Sequence, residues 1–159
     1  MQTALLVNIA VTNWESGVKR TTAFFKNLPE AAFFQEIAPG RNRVVYVLGH
    51  LVAVHDALLP LLGLGERQYP ELEALFIRTP DRTVENIPAV EDLLAKFDAV
   101  NALLTDRFRA LSATEWLEKH TQVSQEDFLK EPHRNRYNVL LSRTNHLSYH
   151  LGQLVLVKP

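Results

Sequence analysis

The sequence predicts an all-α chain, a four-helix bundle forming one domain over residues 1–159. Three observations lead there. Apolar residues recur at spacings of three and four along four long stretches. No stretch sustains the apolar–polar alternation of a half-buried strand, so no strands are expected. Each of the four stretches would make a helix about 30 Å long, the length a bundle requires.

The first helix is expected over residues 3–26, with Leu5, Leu6, Ile9 and Ala10 opening its apolar face. Gly17 and two threonines lower the propensity of its second half. Pro29, Pro39 and Gly40 mark the connection that follows, with a short helical turn at 31–35. The second helix should start at 42 or 43 and end near 62, where Gly63 and Gly65 offer left-handed positions. A long loop carrying Pro70, Pro80 and Pro88 comes next, with a turn of helix at 71–76. In the third helix Val90, Leu93, Leu94, Phe97, Asn101, Leu104, Phe108 and Leu111 share one face, opposite a charged one. Ser112 with Glu115 has the pattern of a capping box that restarts a short helix through Trp116. Residues 122–136 are polar, contain Pro132 and read as a loop with at most a turn or two. The fourth helix, 137–157, takes its apolar stripe from Val139, Leu140, Leu147, Leu151 and Leu154. The two long loops leave room for non-sequential packing.

Composition narrows the function. With 47% hydrophobic and 22% charged residues the chain has the makings of a globular core rather than of a disordered segment. Seventeen basic and 18 acidic residues are scattered to a net charge of −1, which gives no basic stripe for a phosphate backbone. No nucleic-acid partner is expected. The absence of cysteine excludes disulfides, thiolate ligands and a cysteine nucleophile, and fits the cytoplasm. The first eight residues lack the basic start and apolar run of a signal peptide. The apolar stretch 44–64 is interrupted by His50, His55, Asp56 and Pro60, so a central bundle helix explains it better than a membrane span.

Chemistry points to the histidines. His146 and His150 lie four apart, so their imidazoles project from one helix face and can converge on one ion. Both stand beside the stripe of Leu147, Leu151 and Leu154, and Gln153 extends the same polar row. His50 is the natural third member, set among Val47, Leu51 and Val54 on its own helix. An imidazole in such surroundings requires a partner. Three imidazoles from two helices suit a zinc- or nickel-like ion and leave positions open for water or substrate. Spacing alone equally allows three core histidines satisfied by hydrogen bonds.

The run from Asn135 to Leu154, with its core His146-x-x-Tyr149-His150-x-Gly152-Gln153-Leu154, resembles the last helix of the DinB-like proteins, the damage-inducible four-helix bundles. Leu48-Gly49-His50-Leu51 is similar to the other signature of that family, in the right order and at the right separation. The resemblance covers nearly the whole chain. It implies a bundle with long crossover connections, usually a homodimer, carrying a divalent metal ion on His50, His146 and His150. It departs at the C-terminus, which stops nine residues after His150 and shortens the last helix. Members with assigned activity include metal-dependent transferases acting on a low-molecular-weight thiol and a thiol-dependent isomerase. The function so implied is that of a metal-dependent enzyme, a thiol S-transferase or a hydrolase, acting on a small molecule. The alternatives are a non-catalytic metal-binding protein and a structural dimeric bundle.

Other residues carry plainer expectations. His55 stands about 140° round the helix from His50 and is expected to face elsewhere, at the surface or behind the ligands. His120 and His133 are expected to be solvated in loops, and Asp56, Asp98 and Glu115 to be surface charges. Gly63-Leu64-Gly65 lacks the third glycine of a dinucleotide fingerprint and reads as a helix stop. Trp14, Trp116 and Tyr149 are core or interface aromatics. Neither a nucleophile-elbow serine motif nor His-Glu-x-x-His occurs.

Overall fold

A computed structural model describes residues 2–83 and 86–157. Among these the chain forms seven α-helices: α1 (Gln2–Lys26), α2 (Val44–Asp56), α3 (Leu58–Leu61), α4 (Val90–Ala110), α5 (Ala113–Trp116), α6 (Gln125–Lys130) and α7 (Arg136–Leu154). A 3-10 turn at Glu30–Phe34 and a π-helical turn at Ala74–Arg78 lie in the connections. No strand occurs among the described residues; the bridges Glu36–Arg43 and Lys119–Asn135 are isolated.

Helix α1 buries Val7, Ala10, Val11, Trp14, Gly17, Thr21 and Phe25. This corrects the expected opening of its face. Ala10 does point inward, but Leu5, Leu6 and Ile9 are 60%, 57% and 48% exposed. The stripe is set by Val7, Trp14 and Phe25 at helical spacing, which rotates the three larger aliphatics to the outside. Thr21, buried in that stripe, satisfies its hydroxyl on the Gly17 carbonyl at 2.9 Å.

The expected second helix is split. Pro60 has no N–H for the carbonyl of Asp56, and the helix is interrupted at Ala57 between α2 and α3. It then ends at Gly63, whose φ is 68°. The Gly63 N–H donates to the Pro60 carbonyl at 3.2 Å and the Leu64 N–H to that of Leu59 at 2.8 Å, a Schellman closure. By length and composition Val44–Leu61 is apolar enough to cross a membrane, but 67% of it is buried against the rest of this chain, which accounts for its apolarity.

Helix α4 faces the core with Leu93, Phe97, Val100, Asn101, Leu104 and Phe108. Both bonds of the capping box at Ser112 and Glu115 form, so Glu115 is a helix cap rather than a free surface charge. Ser124 caps α6 inside the segment read as a loop, and Asn135 caps α7.

The long helices pack closely as α2 on α4, α1 on α7 and α1 on α4; α2 and α7 touch over a shorter length. Arg109 of α4 reaches Asn8 and Glu15 while Lys26 pairs with Asp98, so α1 and α4 run antiparallel. Tyr137 approaches the Leu6 carbonyl and Leu147 approaches Gly17, so α1 and α7 run parallel and the chain crosses the bundle between them. The core is rich in edge-on aromatic contacts: Trp14–Phe108 at 5.7 Å, Phe108–Trp116 at 5.3 Å and Phe25–Phe97 at 5.7 Å between centroids.

Candidate metal centre

The three histidines meet where α2 and α7 face each other. His146 and His150 are brought together by the helical repeat, with their Nε2 atoms 3.1 Å apart. His50 reaches across from α2, its Nε2 3.3 Å from that of His146. All three rings are half-buried, and no carboxylate joins the cluster among the described residues.

Hydrogen bonds on the far side of two rings set their tautomers. His50 Nδ1 lies 2.8 Å from the Phe76 carbonyl, which only accepts, so the proton is on Nδ1 and the Nε2 lone pair faces the cluster. Gly49 makes this contact possible. A Cβ there would stand 2.5 Å from the buried Phe76 ring, so only glycine lets the π-helical turn come close enough to present its carbonyl. His150 Nδ1 likewise donates to Gln153 Oε1 at 2.9 Å, one turn on along α7. The Nδ1 of His146 is buried without a partner.

Burial, above all, lowers the pKa of each imidazole. His146 falls to about 4, with the neighbouring His150, His50 and Arg143 adding to the effect. His50 is lowered against the bond to Phe76, and His150, with His50 beside it, against the bond to Gln153. Three neutral rings therefore point Nε2 atoms at one another, and a single proton on His146 can satisfy only one of the two close contacts. A cation satisfies all three lone pairs. Ligand nitrogens at about 2.0–2.1 Å from a common ion stand about 2.8–3.4 Å apart for right-angled to tetrahedral arrangements, which brackets the separations of His146 from His150 and from His50. The residues present thus fit a divalent ion.

The cluster is open on one side. A cavity of about 510 Å³ adjoins His150 and Gln153 and is walled by Ala38, Asn42, Val47 and Tyr149. A smaller one beside it reaches His50, Tyr46 and Phe76. Tyr149 is 63% exposed at this mouth, with its ring 5.2 Å from that of His150.

Several residues stand elsewhere than expected. His55 is wholly buried, not at the surface: its Nδ1–H donates to Asn101 Oδ1 at 2.8 Å, and Asn101 Nδ2 donates to the Phe97 carbonyl at 2.8 Å. It packs against Trp14, and burial pushes its pKa down to about 3. An asparagine within the apolar stripe of α4 was the sequence signal for this pair. Asp56 is also buried and accepts the N–H groups of Gln68 and Tyr69 at 2.7 and 3.0 Å, tying down the loop after α3. His120 is half-buried rather than solvated, whereas His133 is exposed and Asp98 is a surface charge paired with Lys26.

His55 gives a pH-dependent stability of known sign. Once unfolded it titrates near its ordinary value of about 6.5, while in the folded state it stays neutral to about 3. The unfolded chain binds the extra proton below pH ~6.5, so stability is full above that pH and falls as the pH drops toward 3. Urea unfolding at pH 7, 5.5 and 4.5 should show a steeper acid loss for the wild type than for His55→Gln. The difference should be about 1.4 kcal/mol per pH unit, the linkage value for one proton.

The family model described as the DinB superfamily matches residues 13–154, from the middle of α1 to the end of α7, all three histidines included. No curated protein matches the chain. The chain belongs to the DinB superfamily.

Proposed function

We propose that this member of the DinB superfamily holds a divalent ion, zinc or nickel, on His50, His146 and His150. In this reading it is a metal-dependent enzyme, a thiol S-transferase or a hydrolase, that works on a small molecule in the cytoplasm. The observation that carries the proposal is the convergence of three neutral Nε2 atoms, two of them fixed in the ligating tautomer, at the mouth of a cavity.

When bound, such an ion lowers the pKa of a thiol or water completing its coordination, so that a nucleophile exists near neutral pH. The chain's residues do the rest. Phe76 and Gln153 orient two of the imidazoles from behind and keep Nδ1 protonated. Val47 and Ala38 give the cavity apolar walls, while Asn42 and Tyr149 offer polar atoms at its mouth. The lack of cysteine means that a thiol nucleophile would come from a cosubstrate.

Turnover of a monochlorobimane-type electrophile with a panel of low-molecular-weight thiols, and of activated esters without thiol, tests the reading on zinc- and nickel-loaded protein. Metal-dependent turnover lost in His150→Ala supports it. Firm metal retention with no turnover of either kind would make the site a binding site alone.

The proposed assembly is a homodimer. Leu5, Leu6 and Ile9 leave an exposed apolar strip on α1, and Tyr137 at the start of α7 lies beside Leu6. Sedimentation equilibrium should give a dimer for the wild type and a monomer for Leu6→Glu; a monomeric wild type would exclude this assembly.

A further inference from the structure

We infer that Arg143 is an anion-binding residue of the same site and that the substrate carries a carboxylate which Arg143 receives. The inference rests on the reading of the three histidines as metal ligands, and it adds the charge of the substrate.

Arg143 precedes His146 by three residues and His150 by seven, which places it on their face of α7, about 4.5 Å along the axis from His146. That face also carries Leu140, Leu147 and Leu154, all buried. Arg143 is itself half-buried. The other half-buried arginines each have a carboxylate: Arg43 pairs with Asp81, Arg67 with Glu73, Arg134 with Glu131 and Arg136 with Glu118. Arg20, Arg41 and Arg107, which have no such partner among the described residues, are exposed to water instead. Among the described arginines, Arg143 alone combines partial burial with neither an ion pair nor a side-chain hydrogen bond.

A guanidinium withdrawn from water without a partner is costly, and here burial lowers its pKa with nothing opposing it. Among the described residues no carboxylate belongs to the cluster, and the three imidazoles are neutral. A divalent ion would raise the positive charge further, so the face of α7 that carries Arg143 and the two histidines attracts anions. The planar fork of arginine matches a carboxylate in bidentate fashion, which a point charge does not. A substrate that places a donor atom at the histidine cluster and a carboxylate at Arg143 satisfies both.

Cobalt(II)-loaded protein gives the test, with 3-mercaptopropionate and 2-mercaptoethanol as probes and the thiolate-to-cobalt absorption band as readout. The wild type should bind 3-mercaptopropionate about tenfold more tightly or better, the discrimination one charge-assisted pair supplies. Arg143→Gln should bind the two probes equally, and Arg143→Lys should recover part of the preference. Equal binding by the wild type, or a preference that survives in Arg143→Gln, overturns the inference. Thermal unfolding of metal-free protein with succinate or phosphate reads Arg143 independently of the metal. Stabilisation of the wild type but not of Arg143→Gln supports the anion site even if cobalt fails to bind, and no stabilisation of either excludes it. A merely structural arginine would give a variant less stable than the wild type in plain buffer; an unpaired one gives a variant at least as stable.

Discussion

Replacing His146 by leucine will leave the metal-free protein as stable as the wild type or more so, while abolishing the stabilisation that zinc gives. The Nε2 of His146 is the one in contact with both others, at 3.1 and 3.3 Å, so without a cation it carries the crowding of the cluster. Its Nδ1 is buried and unpartnered as well. An apolar side chain of similar size removes these unsatisfied groups, a change worth on the order of 1 kcal/mol in favour of the folded state. With zinc at about 100 times its dissociation constant, the wild type should gain about 2.7 kcal/mol. For a chain of this size that is a rise of roughly 5–11 °C in the unfolding midpoint. His146→Leu should show none of it. If the three histidines were ordinary core residues satisfied by one another, the signs would reverse: the variant would be destabilised in plain buffer and zinc would move neither protein. Thermal unfolding of both proteins, with and without zinc, separates the two accounts.

Gly49→Ala should damage both fold and site. The new Cβ would lie 2.5–2.6 Å from three atoms of the Phe76 ring, which is wholly buried and cannot swing aside. Either the ring or the π-helical turn must move, at a cost of about 1–3 kcal/mol for overpacking a core. Movement of the turn also withdraws the Phe76 carbonyl from His50 Nδ1, releasing the tautomer that points Nε2 at the cluster. Loss of such an outer hydrogen bond lowers metal affinity about 10–100-fold. The variant should therefore lose zinc affinity as well as stability, as competition with a chromophoric chelator would measure. Lowered stability with unchanged affinity would show that Phe76 does not orient His50.

The sequence made the helices and the three ligands legible because both depend on local spacing. Val90 to Phe108 repeat at three and four, and α4 forms where that pattern lies. His146 and His150 had to share a face, and His50 sat in an apolar row where an imidazole requires a partner. What escaped depends on contacts between distant segments. The partner of His50 is a backbone carbonyl 26 residues on, which leaves no side-chain trace beyond the glycine next to His50. The inward face of α1 escapes because Leu5, Leu6 and Ile9 are as apolar as the residues that pack, and only the neighbouring helices choose between them. The burial of His55 and Asp56 escapes because a buried polar residue is recognisable only with its partner. Asn101 is 46 residues away, and the N–H groups of Gln68 and Tyr69 are backbone donors. Arg143 escapes for the converse reason, that an arginine without a carboxylate stands out only beside the ion pairs of the others.

The central claim is that the three histidines hold a metal ion. Elemental analysis of untagged protein, incubated with zinc or nickel and then desalted, tests it most directly, beside the His146→Ala/His150→Ala double variant. The expected result is about one ion per chain in the wild type and none in the variant, as a single three-imidazole site requires. No ion in the wild type, or the same content in both proteins, would contradict it.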